Sequence, residues 1–343
     1  MKVNSVAVKT RHSLSHKERI QNLLASESID RTPVSFWRHF YHREYDTQSL
    51  AEAMLYFQDK FDWDFMKVNP RASYHVQPWG AKIQFSTNEY VKTKIIDYPV
   101  KKLEDWRRIE PVKLSVSAFQ EQLQALHLIG QALKGELHFV ETVFSPLSIA
   151  GDLVESEDVL IKQLREAPQI IHQALEAITQ AFEKFVEEIL NAGASGIFFA
   201  TTQWASANYI TKEEYLTFGK PYDLRILEKV REAKFNILHV CESNNFLDLC
   251  VDYPVGVVSW DAADPTNLNL EEGYDLLNKL VLGGINHNQE LLDPDPAKVT
   301  QQAHQTQELM QGKRWILGPG CSIPPEVPET NLARLRNVVE EWR

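Results

Sequence analysis

The strongest constraint on this chain is an alternation: short runs rich in β-branched and aromatic residues recur between longer stretches of helical periodicity. The strand-like runs fall at 33–37, 64–68, 137–143, 196–200, 236–240, 256–260, 279–285 and 314–317. Helical patterns occupy 118–133, 171–191, 212–233, 296–311 and 331–342. Another covers 15–25, with Ser15 as N-cap and Glu18 completing a capping box. Right-handed strand–helix–strand units repeated eight times close on themselves. The expected fold is therefore α/β, a single (β/α)8 TIM barrel over 15–343 behind a flexible N-terminal tail, 1–14. An open doubly wound sheet is the alternative, but the first strand is not followed by its G-x-G-x-x-G turn.

One interval, 69–135, is too long for a simple crossover. It contains Gln77-Pro-Trp-Gly80 and two alternating stretches, 82–85 and 91–96, which read as a small hairpin inserted after strand 2. Loops after barrel strands carry the chemistry, so this insertion should shape the rim of the site.

Composition excludes several classes. The net charge of −11, with no basic cluster, argues against a nucleic-acid partner. No window approaches ~18 consecutive apolar residues, so no membrane span is expected, and the start of the chain lacks the apolar core of a secretory signal. Three widely spaced cysteines are no disulfide framework in 343 residues and suit a reducing cytoplasm.

Two of those cysteines carry the sharpest signal. His239 and Cys241 stand two apart at the end of strand 5, so their side chains share one face and point to the barrel mouth. Cys321 follows a Gly318-Pro-Gly turn at the end of strand 8. An imidazole and two thiolates suit Zn2+ with one open position, the arrangement of a catalytic zinc rather than a structural one. The plainer reading is that cysteines are core hydrophobes, and Cys250, in a helical stretch, is taken as one.

These residues resemble the uroporphyrinogen decarboxylase superfamily, and within it the zinc-dependent branch of methylcobamide:coenzyme M methyltransferases. The resemblance runs from Ser15-His-Lys-Glu-Arg-Ile and Asp30-Arg-Thr-Pro-Val through Gly193-Ala-Ser-Gly to Gly320-Cys-Ser-Ile-Pro-Pro-Glu-Val-Pro-Glu-Thr-Asn331. It implies a (β/α)8 barrel with zinc on an H-x-C pair and a distant cysteine, matched here by His239, Cys241 and Cys321. Three places depart from the decarboxylases themselves. Their R-Q-A-G-R segment becomes Arg38-His-Phe-Tyr-His-Arg43, their essential aspartate gives way to Met66-Lys-Val-Asn69-Pro-Arg71, and their Gly-His-Gly becomes Gly318-Pro-Gly320. A porphyrinogen with its many carboxylates would be poorly met by such a mouth. The resemblance thus implies transfer of a methyl group, from a methylcorrinoid on a partner protein, to a small thiol held as thiolate on zinc. Uroporphyrinogen decarboxylase activity and a non-catalytic zinc- or corrinoid-binding role are the alternatives. A homodimer is common in the superfamily.

Further polar residues fall at strand ends. Glu141, inside an apolar strand, is a candidate fourth zinc ligand or one half of a salt bridge. Gln203 and Trp204 are read as a substrate wall, and His287 as a proton relay or a loop residue. Asp261 either orients His239 or caps a helix. Arg38, Lys67 and Arg71, with Asn69 beside them, suggest an anionic group in the pocket or, more plainly, solvated surface charge.

Overall fold

The structure, a computed structural model, describes residues 13–342; the expected tail at 1–14 lies almost wholly outside them. The first helix, His16–Leu24, is capped as its sequence dictates: Ser15 Oγ accepts from Glu18 N at 3.2 Å, and Glu18 returns the bond to Ser15 N at 2.9 Å.

Among the described residues nine strands follow: β1 Phe65–Val68, β2 Lys82–Gln84, β3 Lys94–Asp97, β4 His138–Phe144, β5 Gly196–Ala200, β6 Ile237–Val240, β7 Val257–Trp260, β8 Leu280–Ile285 and β9 Trp315–Pro319. Seven of them form one curled parallel sheet in the order β1-β4-β5-β6-β7-β8-β9. β2 and β3 pair antiparallel as a separate two-stranded sheet within the long interval after β1. The helix Thr47–Phe61 precedes β1, and helices such as Ser117–Leu133, Pro168–Asn191 and Pro296–Leu309 separate the parallel strands.

The sheet has seven strands instead of the expected eight, because 33–37 forms only one isolated bridge, Val34 to Leu317, with a second just past it from Arg38 to Ile323. Pro33 has no N–H to give. The Val34 N–H is taken by the Asp64 carboxylate at 2.7 Å, so two successive ladder donors are missing. The segment still touches both sheet edges. It exchanges bonds with β9 (Leu317 N to Pro33 O, 2.9 Å; Ser35 N to Leu317 O, 3.1 Å), and beside β1 Asp64 N donates to Val34 O at 2.9 Å. A second correction concerns 212–233, expected as one helix. It breaks into Lys212–Phe218 and Lys220–Lys229, where Pro221 cannot donate and disfavours helical geometry in the residue before it.

Strand alternation sorts the core into two layers. Phe65, Val140, Phe198, Ile237, Val257, Leu280 and Ile316 pack together inside the curl. Their neighbours, among them Val68, Phe139, Val143, Ile197, Leu238 and Val258, pack outward with the helices. Among the described residues, no helix is long and apolar enough to cross a membrane.

Asp64, fully buried just before β1, ties the N-terminal segments to the sheet. It accepts from Arg19 Nη1 and Arg31 Nη1, both at 2.6 Å, from His16 Nδ1 at 2.9 Å, and from Val34 N. Burial alone would raise its carboxyl pKa, but His16 and the two guanidiniums hold it well below the usual carboxylate range. The contribution is therefore present above the unfolded pKa of about 3.9 and is lost as pH falls through the folded value. We predict that Asp64→Asn lowers stability at neutral pH by about 3–5 kcal/mol, as expected for a buried pair deprived of one partner. In urea melts, the gap between the variant and the natural protein should narrow below about pH 4 as the natural carboxylate also protonates. A gap that stays constant with pH would refute the assignment.

Candidate metal centre

The C-terminal ends of β6 and β9 build the site. On β6, Ile237 belongs to the inner layer, so alternation turns His239 inward and aims Cys241, just past the strand, the same way. Parallel register sets His239 beside Ser259 of β7. The ring Nδ1 lies 3.2 Å from Ser259 Oγ, and the imidazole stacks on Phe198 with centroids 5.1 Å apart. The other ring nitrogen, Nε2, is buried and has no hydrogen-bond partner. Ser259, which strand register alone identifies, therefore stands where Asp261 was expected to orient the ring.

Cys321 arrives from β9 through Gly318-Pro319-Gly320. A Cβ on Gly318 would press on Leu282 and on the Ser35 carbonyl, and one on Gly320 would collide with the Asp261 carboxylate. Only glycines let this segment lie so close to β8 and the β7 end. After Cys241 the chain turns through Glu242 at φ 72°, a left-handed conformation costing a non-glycine residue roughly 1–2 kcal/mol. Asn267 Nδ2 holds the Glu242 carbonyl at 3.0 Å.

His239, Cys241 and Cys321 thus bring one nitrogen and two sulfurs within 4.8 Å of one another, the only such metal-ligand group among the described residues. A tetrahedral Zn2+ with Zn–S near 2.3 Å and Zn–N near 2.0–2.1 Å would hold these donors about 3.5–3.8 Å apart. A contraction of roughly an ångström suffices, and the orphaned Nε2 would gain the partner it lacks. The donor set and the buried lone nitrogen fit such an ion. The two thiols also interact: their mutual hydrogen bond, with His239 near, holds Cys321 well below the ordinary thiol range and pushes Cys241 above it.

Glu141 does not join the cluster, which corrects its reading as a fourth ligand. It lies between Val140 of the inner layer and Thr142, in register with the outward-facing Val68 and Ile197, so it points to the helix side. Both its carboxylate oxygens are buried without a partner, and burial raises its pKa well above the usual value.

Lys67 is a buried cation close enough to feel both cysteines. It is buried on the inner face of β1, its ammonium 4.7 Å over the Phe198 ring and 5.9 Å over Trp37. It donates to Asn69 Oδ1 at 3.0 Å, and Asn69 Nδ2 reaches Ser322 beside Cys321 at 3.3 Å. Burial pushes the Lys67 pKa down to about 8 against the pull of Cys321, Glu141 and Cys241.

The remaining expected residues divide. Asp261 and His287 lie near the cluster, 3.6 Å apart, and both act electrostatically on Cys321. Arg71 is committed elsewhere, to Glu121 at 3.2 Å and Gln77 at 2.5 Å. Arg38 donates to the carbonyls of His39 and Pro325 and sits 5.0 Å over Phe40. Gln203 donates to Glu157 at 3.2 Å, whereas Trp204 is wholly buried with its ring against Gly151.

Comparison with known proteins places this geometry in context. The family described as "Uroporphyrinogen decarboxylase (URO-D)" matches residues 15–342. Uroporphyrinogen decarboxylase of Campylobacter jejuni is 25% identical over 270 residues, 76% of each chain. That of Gloeobacter violaceus is 26% identical over 254 residues, covering 69% of this chain and 68% of its own. Among solved structures, a methyltransferase from Methanosarcina mazei superposes with a TM-score of 0.81 at 19% identity, covering 96% of this chain and 99% of its own. At that identity the likeness is one of fold.

Thiol chemistry offers a direct check on the cluster. In folded, metal-stripped protein, iodoacetamide should label Cys321 first and Cys241 more slowly. Cys250, fully buried and with its pKa driven far up by burial, should stay unlabelled until the chain unfolds. One equivalent of Zn2+ should protect both reactive thiols. Labelling of Cys250 at the rate of Cys321 would contradict the site as described.

Proposed function

The chain belongs to the uroporphyrinogen decarboxylase family, and on that footing we propose that it is a methyltransferase. It would hold Zn2+ on His239, Cys241 and Cys321 and pass a methyl group to a small thiol. The reading rests above all on one observation: an imidazole nitrogen and two sulfurs converge within 4.8 Å at strand ends with no fourth protein donor in the group. A zinc ion in that setting keeps an open position and binds a substrate thiol as thiolate, which at neutral pH is otherwise only about 3% populated.

The chain's own residues do the rest. Ser259 fixes the plane of His239, so Nε2 is aimed at the ion's place. Lys67, oriented by Asn69 and backed by Phe198 and Trp37, sets a positive charge beside the sulfurs and favours an anionic acceptor. The buried inner layer beneath excludes water from that floor. Carbon–sulfur bond formation would break the donor's bond to the methyl carbon, leave that electron pair with the donor, and release the thiol proton to solvent. The donor in this reading is a methylcorrinoid on a separate protein. Within 15–343, the segment 33–37 acts as the eighth stave of a closed (β/α)8 barrel, and the β2–β3 pair is a hairpin at its rim. A cytoplasmic setting keeps the two thiols reduced, and a homodimer is compatible with the reading.

The second reading, uroporphyrinogen decarboxylation, is favoured by the names of the curated relatives. Against it, the Arg71 guanidinium is fully engaged by Glu121 and Gln77, and Arg38 spends Nε and Nη1 on backbone carbonyls, which leaves little cationic grip for several substrate carboxylates. Three results separate the possibilities. Purified protein should carry about one zinc per chain, lost in Cys241→Ala and Cys321→Ala while circular dichroism is unchanged. The correct thiol, among homocysteine, coenzyme M and simple alkyl thiols, should release about one proton on binding in calorimetry across buffers of different ionisation enthalpy, and then accept a methyl group from methylcobalamin. Formation of coproporphyrinogen from uroporphyrinogen would overturn the proposal in favour of decarboxylation. Zinc without proton release or methylation by any thiol would leave a binding protein only.

A further inference from the structure

At the opposite end of the sheet, where the strands begin, a cavity of about 430 Å³ opens beside the first residues of β4 and just before β5 and β6. Its lining includes Lys17, Lys234, His138 and Ser195, and no carboxylate. In a chain of net charge −11 this is an unusual concentration of positive charge. Neither lysine forms an ion pair with any described residue. Lys17 reaches over Gly135, where a Cβ would lie 3.9 Å from its ammonium. The helices Ser117–Leu133 and Pro168–Asn191 end here, and their carbonyl ends add roughly −0.5 charge each, against two full ammonium charges. The field in the cavity is thus net positive.

The third element is His138. It is 3% exposed, its Nδ1 lies 2.8 Å from Ser195 Oγ, and its Nε2 is buried with no partner. Burial, then Lys17 and Lys234, pushes its pKa down to about 4, so the ring is neutral at pH 7. In the tautomer whose Nδ1 accepts from the Ser195 hydroxyl, Nε2 carries the proton and is a hydrogen-bond donor with no acceptor among the described residues. In that tautomer a buried donor without a partner shares the cavity with two ammonium groups that pair with no described residue, a set suited to an anion.

We propose that this cavity binds a small molecule through an oxyanion, phosphate or carboxylate, gripped by Lys17, Lys234 and His138, at a site separate from the thiol cluster. The site stands on observations independent of the methyltransferase reading.

Inorganic phosphate and malonate are the probes. Calorimetry, together with the imidazole 15N resonances of His138, should show saturable binding of at least one of them near about 1 mM. A response to phosphate alone or to malonate alone identifies which oxyanion is preferred. Lys17→Ala/Lys234→Ala, changed at the surface end of the cavity, should weaken binding at least about tenfold, and His138→Gln should abolish the resonance response. If His138→Gln does not fold, the lysine variant decides alone. Cys321→Ala, which should lose zinc, should still bind the anion, and this separates the site from any anion binding at the metal. No saturable binding of either probe up to about 50 mM, or binding unchanged in the lysine variant, overturns the proposal.

Discussion

The geometry at the strand ends depends on how the two edges of the curled sheet are joined. β1 and β9 are not hydrogen-bonded to each other. They are held together by 33–37, which bonds to Leu317 on one side and to Asp64 on the other. Asp64 concentrates that closure: one buried carboxylate receives two guanidiniums, an imidazole and a backbone N–H from three different segments. Such a group is costly to bury alone and strongly held when every lone pair is used. Lys67, three residues further along β1, and Cys321, just past β9, owe their proximity to this join. Cys241, on the far side of the curl, is brought opposite them by the sheet's curvature.

Within that frame the cluster gathers charge of both signs. Two thiols and an imidazole offer soft donors, and a buried ammonium at Lys67 balances the negative charge that metal-bound thiolates would carry. Asp261 and His287 form a second pair beside Cys321. The opposite end of the sheet has a different character: two ammonium groups and a neutral imidazole surround a cavity lined by no carboxylate. The two ends are separated by the apolar inner layer of Phe65, Val140, Phe198 and Ile237. They are chemically insulated.

Much of this was legible in the sequence, for identifiable reasons. The positions of β4 to β9 followed from short β-branched runs, and the His239–Cys241 pair followed from the two-residue period of a strand. Where the sequence misled, the missing information was register or backbone donors. β4 reads His-Phe-Val-Glu-Thr-Val-Phe and is buried on both faces, so its pattern does not reveal which parity faces inward. Glu141 was therefore assigned to the wrong side. The segment 33–37 looked like a full strand, because Asp64's capture of the Val34 N–H comes from outside the segment. Ser259 was invisible for the same kind of reason, since only the pairing of β6 with β7 sets it against His239. The cavity at the strand beginnings joins Lys17, His138 and Lys234 across more than two hundred residues, and no local pattern signals it.

The proposed zinc site on His239, Cys241 and Cys321, with one position open to a thiol, is open to direct test. X-ray absorption at the zinc edge of the purified protein tests it most directly. Two sulfurs near 2.3 Å and an imidazole nitrogen near 2.0–2.1 Å are expected per zinc, with a third sulfur appearing when the acceptor thiol is added. A zinc shell of oxygen and nitrogen alone, or a sulfur count that no thiol changes, would contradict it.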